Sequence, residues 1–245
     1  MLIAIIPARG NSQGIKKKNI QTIGGKSLVS LAVNLAIASS QIDLTVLSTD
    51  DHEIVANSEL FERYQDVFAN MTDGEFRKLD SSLAMHKRKP EHAISNSRTI
   101  DAITDVILKM DCEGDDLILL LQPTSPFREA HEIRQILDVY KNQNIDAVIS
   151  ARLFDSPHPA KAIEIEGNQL IYKEDTIKNL SSPRQELPTY YVFDGAYYLA
   201  KAEFLLSQKS FVSRKTSVFI RDGISTINID NETDLELARI AAQNI

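Results

Sequence analysis

The stretch MLIAIIPARGNSQGIKKKN, residues 1–19, joins an apolar run to a loop of small and cationic side chains. Residues 2–6 predict a short buried strand. The loop after it contains Gly10 and Gly14, where the missing Cβ lets backbone amides approach an anion, and lysines occupy positions 16–18. An apolar strand that ends in such a loop is typical of a site for a polyphosphate, which Arg and Lys neutralise.

Apolar runs alternate with helical spacing along the first 151 residues. The spacing predicts helices over about 28–38, 100–107 and 133–140 and strands over 44–47, 117–121 and 147–151. This order favours an α/β fold with an open, doubly wound, mostly parallel sheet. Ligands of such sheets bind at the carboxyl ends of the strands. Three polar motifs follow predicted strands, at 7–19, 48–51 and 122–128.

The pattern changes after residue 155. Residues 161–165 and 169–172 predict a hairpin around Gly167-Asn168, and an aromatic segment follows at 190–193. We therefore expect one domain over residues 1–245 with a small inserted lobe at about 155–200. Strands are predicted again at 218–220 and 225–229, followed by a helix from about residue 231. Residues 59–96 predict a helix and a long, mobile loop.

Composition excludes several classes of protein. The chain has 245 residues and a net charge of −7, which argues against a nucleic-acid partner. No apolar segment is long enough to span a membrane. Cys112 is the single cysteine, so no intrachain disulfide can form and a reducing cytoplasm is expected. The five histidines show no zinc-like spacing.

The first loop resembles the signature of the CMP-sugar synthetases, the acylneuraminate cytidylyltransferases that activate sialic and related acidic sugars. That signature is close to A-R-x-x-S-K-G-hydrophobic-x-x-K-N. Gln13 stands where the family usually has Lys. The matching residues are Arg9, Ser12, Gly14, Ile15, Lys18 and Asn19. The resemblance implies a fold like that of the nucleotide-diphospho-sugar transferases.

Further motifs are similar to the same family along most of the chain. They are LLQPTSPFR at 120–128, HPAK at 158–161, SPRQELP at 182–188, DGAYY at 194–198 and INIDNETDL at 227–235. The basic run before Pro90 is a looser match, with Lys89 at the Arg position and Arg88 beside it. Asp194 and Asn96 depart from the family's usual Asn and Asp. A surface ion pair with Glu186 is the alternative for Arg184.

The resemblance implies three groups of site residues. Those expected to bind the nucleotide are Arg9, Asn11, Ser12, Gly14, Lys18, Asn19, Arg88, Lys89 and Ser97. Those expected to bind the sugar are Gln122, Lys161, Arg184, Gln185, Asp194 and Tyr198. Asp230 and Asn228 would hold the metal, and Arg9, Lys18 and Asp230 would be catalytic. For Ser48-Thr49-Asp50 we favour a helix N-cap at Asp50 or Asp51 over a catalytic role.

Strand alternation would place Asn228 and Asp230 on one face, where both could reach one ion. Mg²⁺ suits oxygen ligands completed by water and substrate phosphates. The family has a carboxylate at both positions, so Asn228 lowers the charge of the pair. The alternative for Asp230 is an N-cap of the last helix.

The implied reaction is transfer of CMP from CTP to the anomeric hydroxyl of an acidic sugar, with release of pyrophosphate. The proton acceptor is not assigned. A homodimer through the inserted lobe is expected from the resemblance. Two alternatives stay open: a nucleotidyltransferase for another sugar or a polyol-like acceptor, and a catalytically weakened homologue that binds a nucleotide or sugar and regulates a pathway.

Overall fold

A computed structural model describes residues 1–12, 14–94, 96–110, 112–141, 143–154, 156–171 and 176–244 of the chain. Its strands are β1 Leu2–Pro7, β2 Thr22–Ile23, β3 Lys26–Ser27, β4 Leu44–Thr49, β5 Phe76–Lys78, β6 Leu83–Lys87, β7 Leu117–Leu120, β8 Ala147–Leu153, β9 Glu164–Glu166, β10 Gln169–Ile171, β11 Tyr191–Lys201 and β12 Thr216–Arg221. Its α-helices are α1 Leu28–Ala38, α2 His52–Ala56, α3 Gln65–Ala69, α4 Thr99–Lys109, α5 Ala130–Lys141, α6 Thr176–Ser181, α7 Ala202–Gln208 and α8 Glu232–Ala242.

An eight-stranded sheet runs in the order β12-β8-β11-β7-β1-β4-β6-β5. β1 pairs in parallel with β4 and β7, while β11 pairs antiparallel with both β7 and β8. The prediction of an open, mostly parallel α/β sheet is confirmed. The carboxyl ends of β1, β4 and β7 meet at one edge, so the loops that follow them are neighbours.

Helices cover both faces of the sheet because its central strands are apolar on both sides. Along β1, Ala4 and Ile6 pack with α1 and α5, whereas Ile3 and Ile5 pack with α4 and α7. Ser27 caps α1 by accepting a hydrogen bond from the backbone N–H of Ser30 at 3.1 Å. The predicted cap after β4 is confirmed at Asp51, which accepts from the N–H of Glu53 at 2.7 Å.

Three elements differ from the sequence predictions. Residues 191–193 of the aromatic segment form the start of β11, a central strand that runs to Lys201. Residues 225–229 are not a strand: they continue from a 3₁₀ turn at Gly223–Thr226. The expected long loop within 59–96 contains the β5–β6 hairpin at the sheet edge.

The inserted segment contains the predicted hairpin, formed by β9 and β10, together with α6. Tyr172 of that prediction lies outside the described residues. In the described part of the chain, no helix has the length and apolarity needed to cross a membrane.

Candidate active site

A pocket of about 350 Å³ opens at the carboxyl edge of the sheet, where the loops after β1, β6 and β7 converge. Most of the residues around it are polar or cationic, as a site for a charged ligand requires. They are Pro7, Arg9, Ser12, Gly14, Lys18, Asn19, Arg88, Ser97, Thr99, Gln122, Pro123, Thr124 and Asp230.

The loop after β1 is held against its neighbours at two glycines. A Cβ on Gly14 would lie 2.4 Å from the carbonyl oxygen of Asp230, and one on Gly10 would lie 2.4 Å from Oδ2 of Asp51. Both separations are too short for a Cβ. At Gly14 the neighbour is backbone, so the position requires glycine, whereas at Gly10 the side chain of Asp51 would have to move. The buried Asn19 closes the loop, because its Nδ2 donates to the carbonyl oxygen of Arg9 at 2.8 Å.

Two cations of this loop reach the pocket from opposite sides. Lys18 Nζ donates to the carbonyl oxygen of Ile229 at 3.0 Å and lies 3.6 Å from Oδ1 of Asp230. Arg9 Nη1 donates to the carbonyl oxygen of Ile94 at 2.9 Å. These bonds tie the loop to two other segments of the pocket wall and fix both positive charges beside the cavity.

Arg88 is the third cation of the pocket and is only 5% exposed. Its Nε donates to both the carbonyl oxygen and Oγ of Ser48, each at 3.1 Å. Its Nη2 is buried without a hydrogen-bond partner among the described residues. Burial lowers the pKa of Arg88 to about 10, with Asp50 opposing the shift and Arg9 adding to it. The guanidinium therefore stays charged at neutral pH, and an anionic ligand would satisfy its unpaired donor.

Asn228 and Asp230 lie together between this pocket and a second one. Asn228 Nδ2 donates to Oδ2 of Asp230 at 2.8 Å, and Asn228 Oδ1 accepts from Oγ of Ser125 at 3.3 Å. Asn231 caps α8 in a capping box with Asp234, so the alternative of Asp230 as the cap is wrong. The Asp230 side chain is 72% exposed, which leaves its carboxylate accessible to a ligand.

These residues fit a magnesium ion that takes most of its ligands from phosphate and water. Within the described ranges, no three His, Cys, Asp or Glu side chains cluster as metal ligands. One carboxylate with substrate phosphates is nevertheless a usual arrangement for Mg²⁺. The amide of Asn228 presents its NH₂ group to Asp230, so it would have to rotate by about 180° to offer an oxygen to the same ion.

The second pocket, of about 500 Å³, adjoins the first at Asp230. It lies between the end of β8, the start of β11 and the start of α8. A Cβ on Gly195, at φ +78°, would approach Oδ1 of Asn228 at 3.2 Å and Oε1 of Gln122 at 3.7 Å. Gly195 therefore lets the backbone of β11 pass close to both amides. The residues around the pocket are Arg152, Val192, Phe193, Asp194, Thr226, Ile227, Asn228, Asp230, Asn231, Asp234 and Leu237.

Asp194 is engaged in a buried ion network, although we expected it to bind the sugar. Its Oδ2 accepts from Nη1 of Arg221 at 2.9 Å, and its Oδ1 accepts from Ser150 Oγ and from the backbone N–H of Ala196. Arg221 Nε also donates to Glu132 at 2.7 Å. Both carboxylate oxygens of Asp194 therefore have hydrogen-bond partners within the protein. The positive charge of Arg221 offsets the negative charge that Asp194 adds at a position where the family usually has Asn.

The remaining residues expected at the sugar lie in three places. Gln122 lines the first pocket. Tyr198 is largely buried against Phe211, with ring centroids 5.5 Å apart. Burial, with smaller effects of Asp194 and Asp230, raises the pKa of Tyr198.

Lys161, Arg184 and Gln185 lie in the lobe, outside the residues that line the first two pockets. Lys161 Nζ donates to the carbonyl oxygen of Ser182 at 3.1 Å. Arg184 and Gln185 line a separate cavity of about 300 Å³ with His158. A single protomer therefore does not bring these three side chains into the nucleotide pocket.

Of the residues expected at the nucleotide, Asn11 is exposed and outside the pocket lining. Lys89 turns away to Asp105, with Nζ 2.9 Å from Oδ1, so Arg88 and not Lys89 faces the pocket. Gln13 lies outside the described residues.

Sequence reasoning missed Thr99, Arg152, Arg221 and the buried His86. Arg221 directly follows the apolar run 218–220, but that run forms the edge strand β12, in which Val218 and Ile220 are about half exposed, so the sequence carries no signal that Arg221 is buried. His86, in a run of basic residues, is equally without a signal.

The mixed sheet, with a cation-lined pocket at its carboxyl edge, has the α/β fold of solved nucleotidyltransferases. Two solved structures share the fold over the whole chain. CMP:2-keto-3-deoxy-manno-octonic acid synthetase, complexed with CTP, has a TM-score of 0.63 at 15% identity and matches 100% of this chain and 99% of its own. The 4-diphosphocytidyl-2C-methyl-D-erythritol synthase of Anaerococcus prevotii has a TM-score of 0.60 at 12% identity, with 99% and 96% covered.

A cytidylyltransferase family model matches residues 3–88. The CMP-N,N'-diacetyllegionaminic acid synthase of Legionella pneumophila is 28% identical over 96% of this chain and 94% of its own. The pseudaminic acid cytidylyltransferase of Campylobacter jejuni is 27% identical over 97% and 94%. The N-acylneuraminate cytidylyltransferase of Streptococcus agalactiae is 26% identical over 95% of this chain and 51% of its own. These matches confirm the predicted resemblance to the CMP-sugar synthetase family.

Proposed function

We propose that this protein transfers CMP from CTP to the anomeric hydroxyl of an acidic sugar of the nonulosonic class and releases pyrophosphate. The observation that carries the proposal is the buried guanidinium of Arg88, which has an unpaired Nη2 on a pocket that Arg9 and Lys18 also line. Three cations around one cavity suit a triphosphate. The names of the relatives, which act on legionaminic, pseudaminic and neuraminic acids, support the choice of acceptor.

The first pocket would hold the nucleotide. Arg9 and Lys18 would bind the triphosphate, with the small residues Ser12 and Gly14 allowing close approach of the backbone. Asn19 would act indirectly, by holding the loop at the carbonyl oxygen of Arg9. Ser97 Oγ lies 2.8 Å from the carbonyl oxygens of both His92 and Ile94 and can donate its hydrogen to either, so it would shape the wall next to Arg9.

The adjoining second pocket would hold the acidic sugar, with Gln122 at the boundary. The anomeric hydroxyl would then approach the α-phosphate near Asp230, the residue that both pockets share. A Mg²⁺ ion held by Asp230 and substrate oxygens would stabilise charge on the reacting phosphate. The residues of this chain mainly position the substrates and neutralise charge, as is usual for phosphoryl chemistry.

Arg152 is a candidate for the sugar carboxylate that the sequence did not reveal. Among the described residues that line the second pocket it is the single cationic side chain, and a guanidinium can bind a carboxylate through two parallel hydrogen bonds. Lys161, Arg184 and Gln185 would reach an active site only across an interface between two copies. We therefore propose a homodimer through the lobe. A cytoplasmic location stays a prediction from the single cysteine.

A pyrophosphate-release assay with CTP, Mg²⁺ and a panel of acidic sugars tests the proposal. We expect release with at least one nonulosonic acid and greater thermal stabilisation by CTP than by ATP, GTP or UTP. Release only with a neutral sugar or a polyol would favour the alternative acceptor. Binding of CTP without any release would favour a regulatory homologue, and equal stabilisation by all four nucleotides would contradict the preference for cytosine.

A further inference from the structure

A chain of buried hydrogen bonds runs behind Arg88, on the side away from the pocket. Arg88 Nε lies 3.1 Å from Ser48 Oγ, Ser48 Oγ lies 3.0 Å from His86 Nδ1, and His86 Nε2 lies 3.1 Å from Asp105 Oδ2. Ser48 and His86 are fully buried, and Asp105 nearly so. This series of hydrogen bonds links β4, β6 and α4 to the guanidinium of Arg88 at the proposed active site.

Every bond in this chain has only one possible direction. The guanidinium can only donate, so Ser48 Oγ accepts from Arg88, and the ionised carboxylate of Asp105 can only accept, so His86 Nε2 carries the ring proton and donates it. The neutral ring then leaves Nδ1 as an acceptor, and Ser48 Oγ donates its hydrogen to it. Burial lowers the pKa of His86 to about 4, with Asp105 opposing the shift, so the ring is neutral at pH 7. A neutral ring has one donor and one acceptor, as the chain needs.

The far end of the chain is anchored by charge. Asp105 receives the ring N–H of His86 and also forms an ion pair with Lys89, 2.9 Å away, while His92 Nδ1 lies 3.8 Å from it. Burial opposes ionisation of Asp105, yet these partners hold its pKa below the usual value. Asp105 is therefore a fixed acceptor on α4.

The order serine, histidine, aspartate is also that of a hydrolytic triad, but the geometry excludes that role. Ser48 is in the interior of β4 with no exposed surface, so no substrate can reach its Oγ. That oxygen also accepts from Arg88, which occupies a lone pair that a nucleophile would use.

We propose that His86 is a positioning residue for the nucleotide, because it fixes Ser48 Oγ as the acceptor that holds the guanidinium of Arg88 at the pocket wall. This inference rests on the proposed function, in which Arg88 contacts a phosphate. Two acceptors on Nε, the carbonyl and hydroxyl oxygens of Ser48, define the plane of the guanidinium. The direction of its terminal N–H groups then follows, since the guanidinium is a rigid fork.

The test is a set of double-mutant cycles on CTP binding and steady-state kinetics. Ser48→Ala and His86→Phe each remove one link, and Arg88→Lys removes the Nε that the chain holds. When Arg88 is present, Ser48→Ala and His86→Phe are each expected to raise the Kd and KM for CTP roughly tenfold, with a smaller change in kcat. In the Arg88→Lys background, neither Ser48→Ala nor His86→Phe is expected to raise the Kd or KM further, because the guanidinium that Ser48 orients is absent.

Two further variants separate positioning from simple stability. His86→Gln keeps one acceptor and one donor on its amide and is expected to restore most of the CTP affinity. Thr45→Val alters another buried hydroxyl of β4, at the opposite end of the strand from the pocket, and is expected to leave CTP binding unchanged. Melting temperatures are recorded for all variants. If His86→Phe fails to fold, Ser48→Ala completes the cycle alone.

The outcomes distinguish the two proposals. A wild-type protein that does not bind CTP overturns the proposed function. A wild-type protein that binds CTP, with equal losses from Ser48→Ala in the Arg88 and Arg88→Lys backgrounds, overturns the positioning role of His86 and leaves the proposed function intact. Loss only in the Arg88 background, with recovery by His86→Gln, supports both.

Discussion

At the metal site that we propose, the amide of Asn228 lies next to the carboxylate of Asp230, so one substitution can change the charge of the pair. Asn228→Asp adds a negative charge where a divalent ion is expected, and it removes the 2.8 Å hydrogen bond to Asp230. We expect the Mg²⁺ concentration for half-maximal rate to fall roughly tenfold. Without metal, the two carboxylates repel each other and the melting temperature should drop. A Mg²⁺ titration of pyrophosphate release, with melting curves in EDTA, measures both.

The matched variant Asp230→Asn removes the remaining carboxylate and should abolish nearly all activity. Because Asn231 and not Asp230 caps α8, this change should leave the helix intact. Wild-type activity of Asp230→Asn would refute the metal assignment. An inactive Asp230→Asn beside an unchanged Asn228→Asp would mean that Asp230 alone holds the metal.

His86 should make stability fall in mild acid. Its folded pKa is about 4, below the ordinary value of 6.5, so only the unfolded chain takes up the proton between these values. Stability is therefore full above about pH 6.5 and is lost as the pH falls towards 4. The expected loss from this group between pH 7 and pH 5 is about 2 kcal/mol. Urea unfolding at both pH values measures it, and His86→Gln should lose that part of the slope. An unchanged slope in the variant would assign it to other groups.

The sequence could predict which residue types line the pocket but not how they pair. Arg9 and Lys18 were predictable because the motif that carries them is local. The partner of Asp194 was not predictable, because Arg221 is 27 positions away along the sequence. The two residues meet because β11 and β12 lie on either side of the same strand, β8. The hydrogen bond between Ser48 and His86 has the same origin, as the neighbours β4 and β6 bring the two together.

At the scale of elements, the contact between the first loop and the segment before α8 depends on Gly14. A Cβ there would lie 2.4 Å from the carbonyl oxygen of Asp230, so Gly14→Ala must push the two segments apart. We expect kcat/KM to fall at least roughly tenfold, with a stability loss of about 1–3 kcal/mol from overpacking. Steady-state kinetics and urea unfolding give the two values.

Gly114→Ala is the control for this prediction. A Cβ at Gly114 would meet only the flexible side chain of Glu203, at 3.3 Å, on the opposite edge of the sheet. Its kinetics should match the wild type. A Gly14→Ala protein with wild-type kinetics would show that the close approach at Asp230 has no role in the reaction.

Three elements, α5, β11 and β12, are joined by the buried cation of Arg221 between Glu132 and Asp194. Arg221→Met leaves both carboxylates buried without that partner, which should cost about 3–5 kcal/mol of stability. Arg239→Met removes a partly exposed pair with Glu236 and two long hydrogen bonds to Gln21 and Thr22, and it should cost about 1 kcal/mol or less. Chemical denaturation compares the two. Equal effects would mean that the buried network does not hold these elements together.

Helices and strands with a clear period were predictable from local pattern, and those set by distant contacts were not. Residues 117–121 are apolar without interruption, and the first four of them form β7, which lies between β11 and β1. Residues 225–229 have apolar residues at alternate positions, but Ser225 and Thr226 belong to a 3₁₀ turn and residues 227–229 pair with no strand in the described part of the chain. Local pattern assigns the aromatic start of β11 to the inserted segment, because its partner, the end of β8, precedes the whole insertion.

At the scale of the whole molecule, large apolar side chains are exposed on the lobe and at the adjoining start of β11, and such surfaces are often covered by another chain. Ile165 and Ile177 in the lobe and Tyr191 and Phe193 at the adjoining end of β11 are each about half exposed or more. A second copy would cover these side chains and bring a second set of Lys161, Arg184 and Gln185 near the active site. We expect a dimer by light scattering coupled to size exclusion.

Ile177→Lys places a charge at a side chain that is 63% exposed, and it should convert the dimer to a monomer because a buried lysine opposes association. The monomer should keep CTP binding, since the first pocket is complete in one protomer, but its KM for the acidic sugar should rise. Leu108→Lys is the control: Leu108 is 69% exposed on α4, outside the lobe, and its variant should stay dimeric. A wild-type monomer with full sugar-dependent activity would refute the lobe interface. A monomeric Ile177→Lys with an unchanged KM for the sugar would instead confine sugar binding to one chain, and Arg152 would then be the remaining cation for its carboxylate.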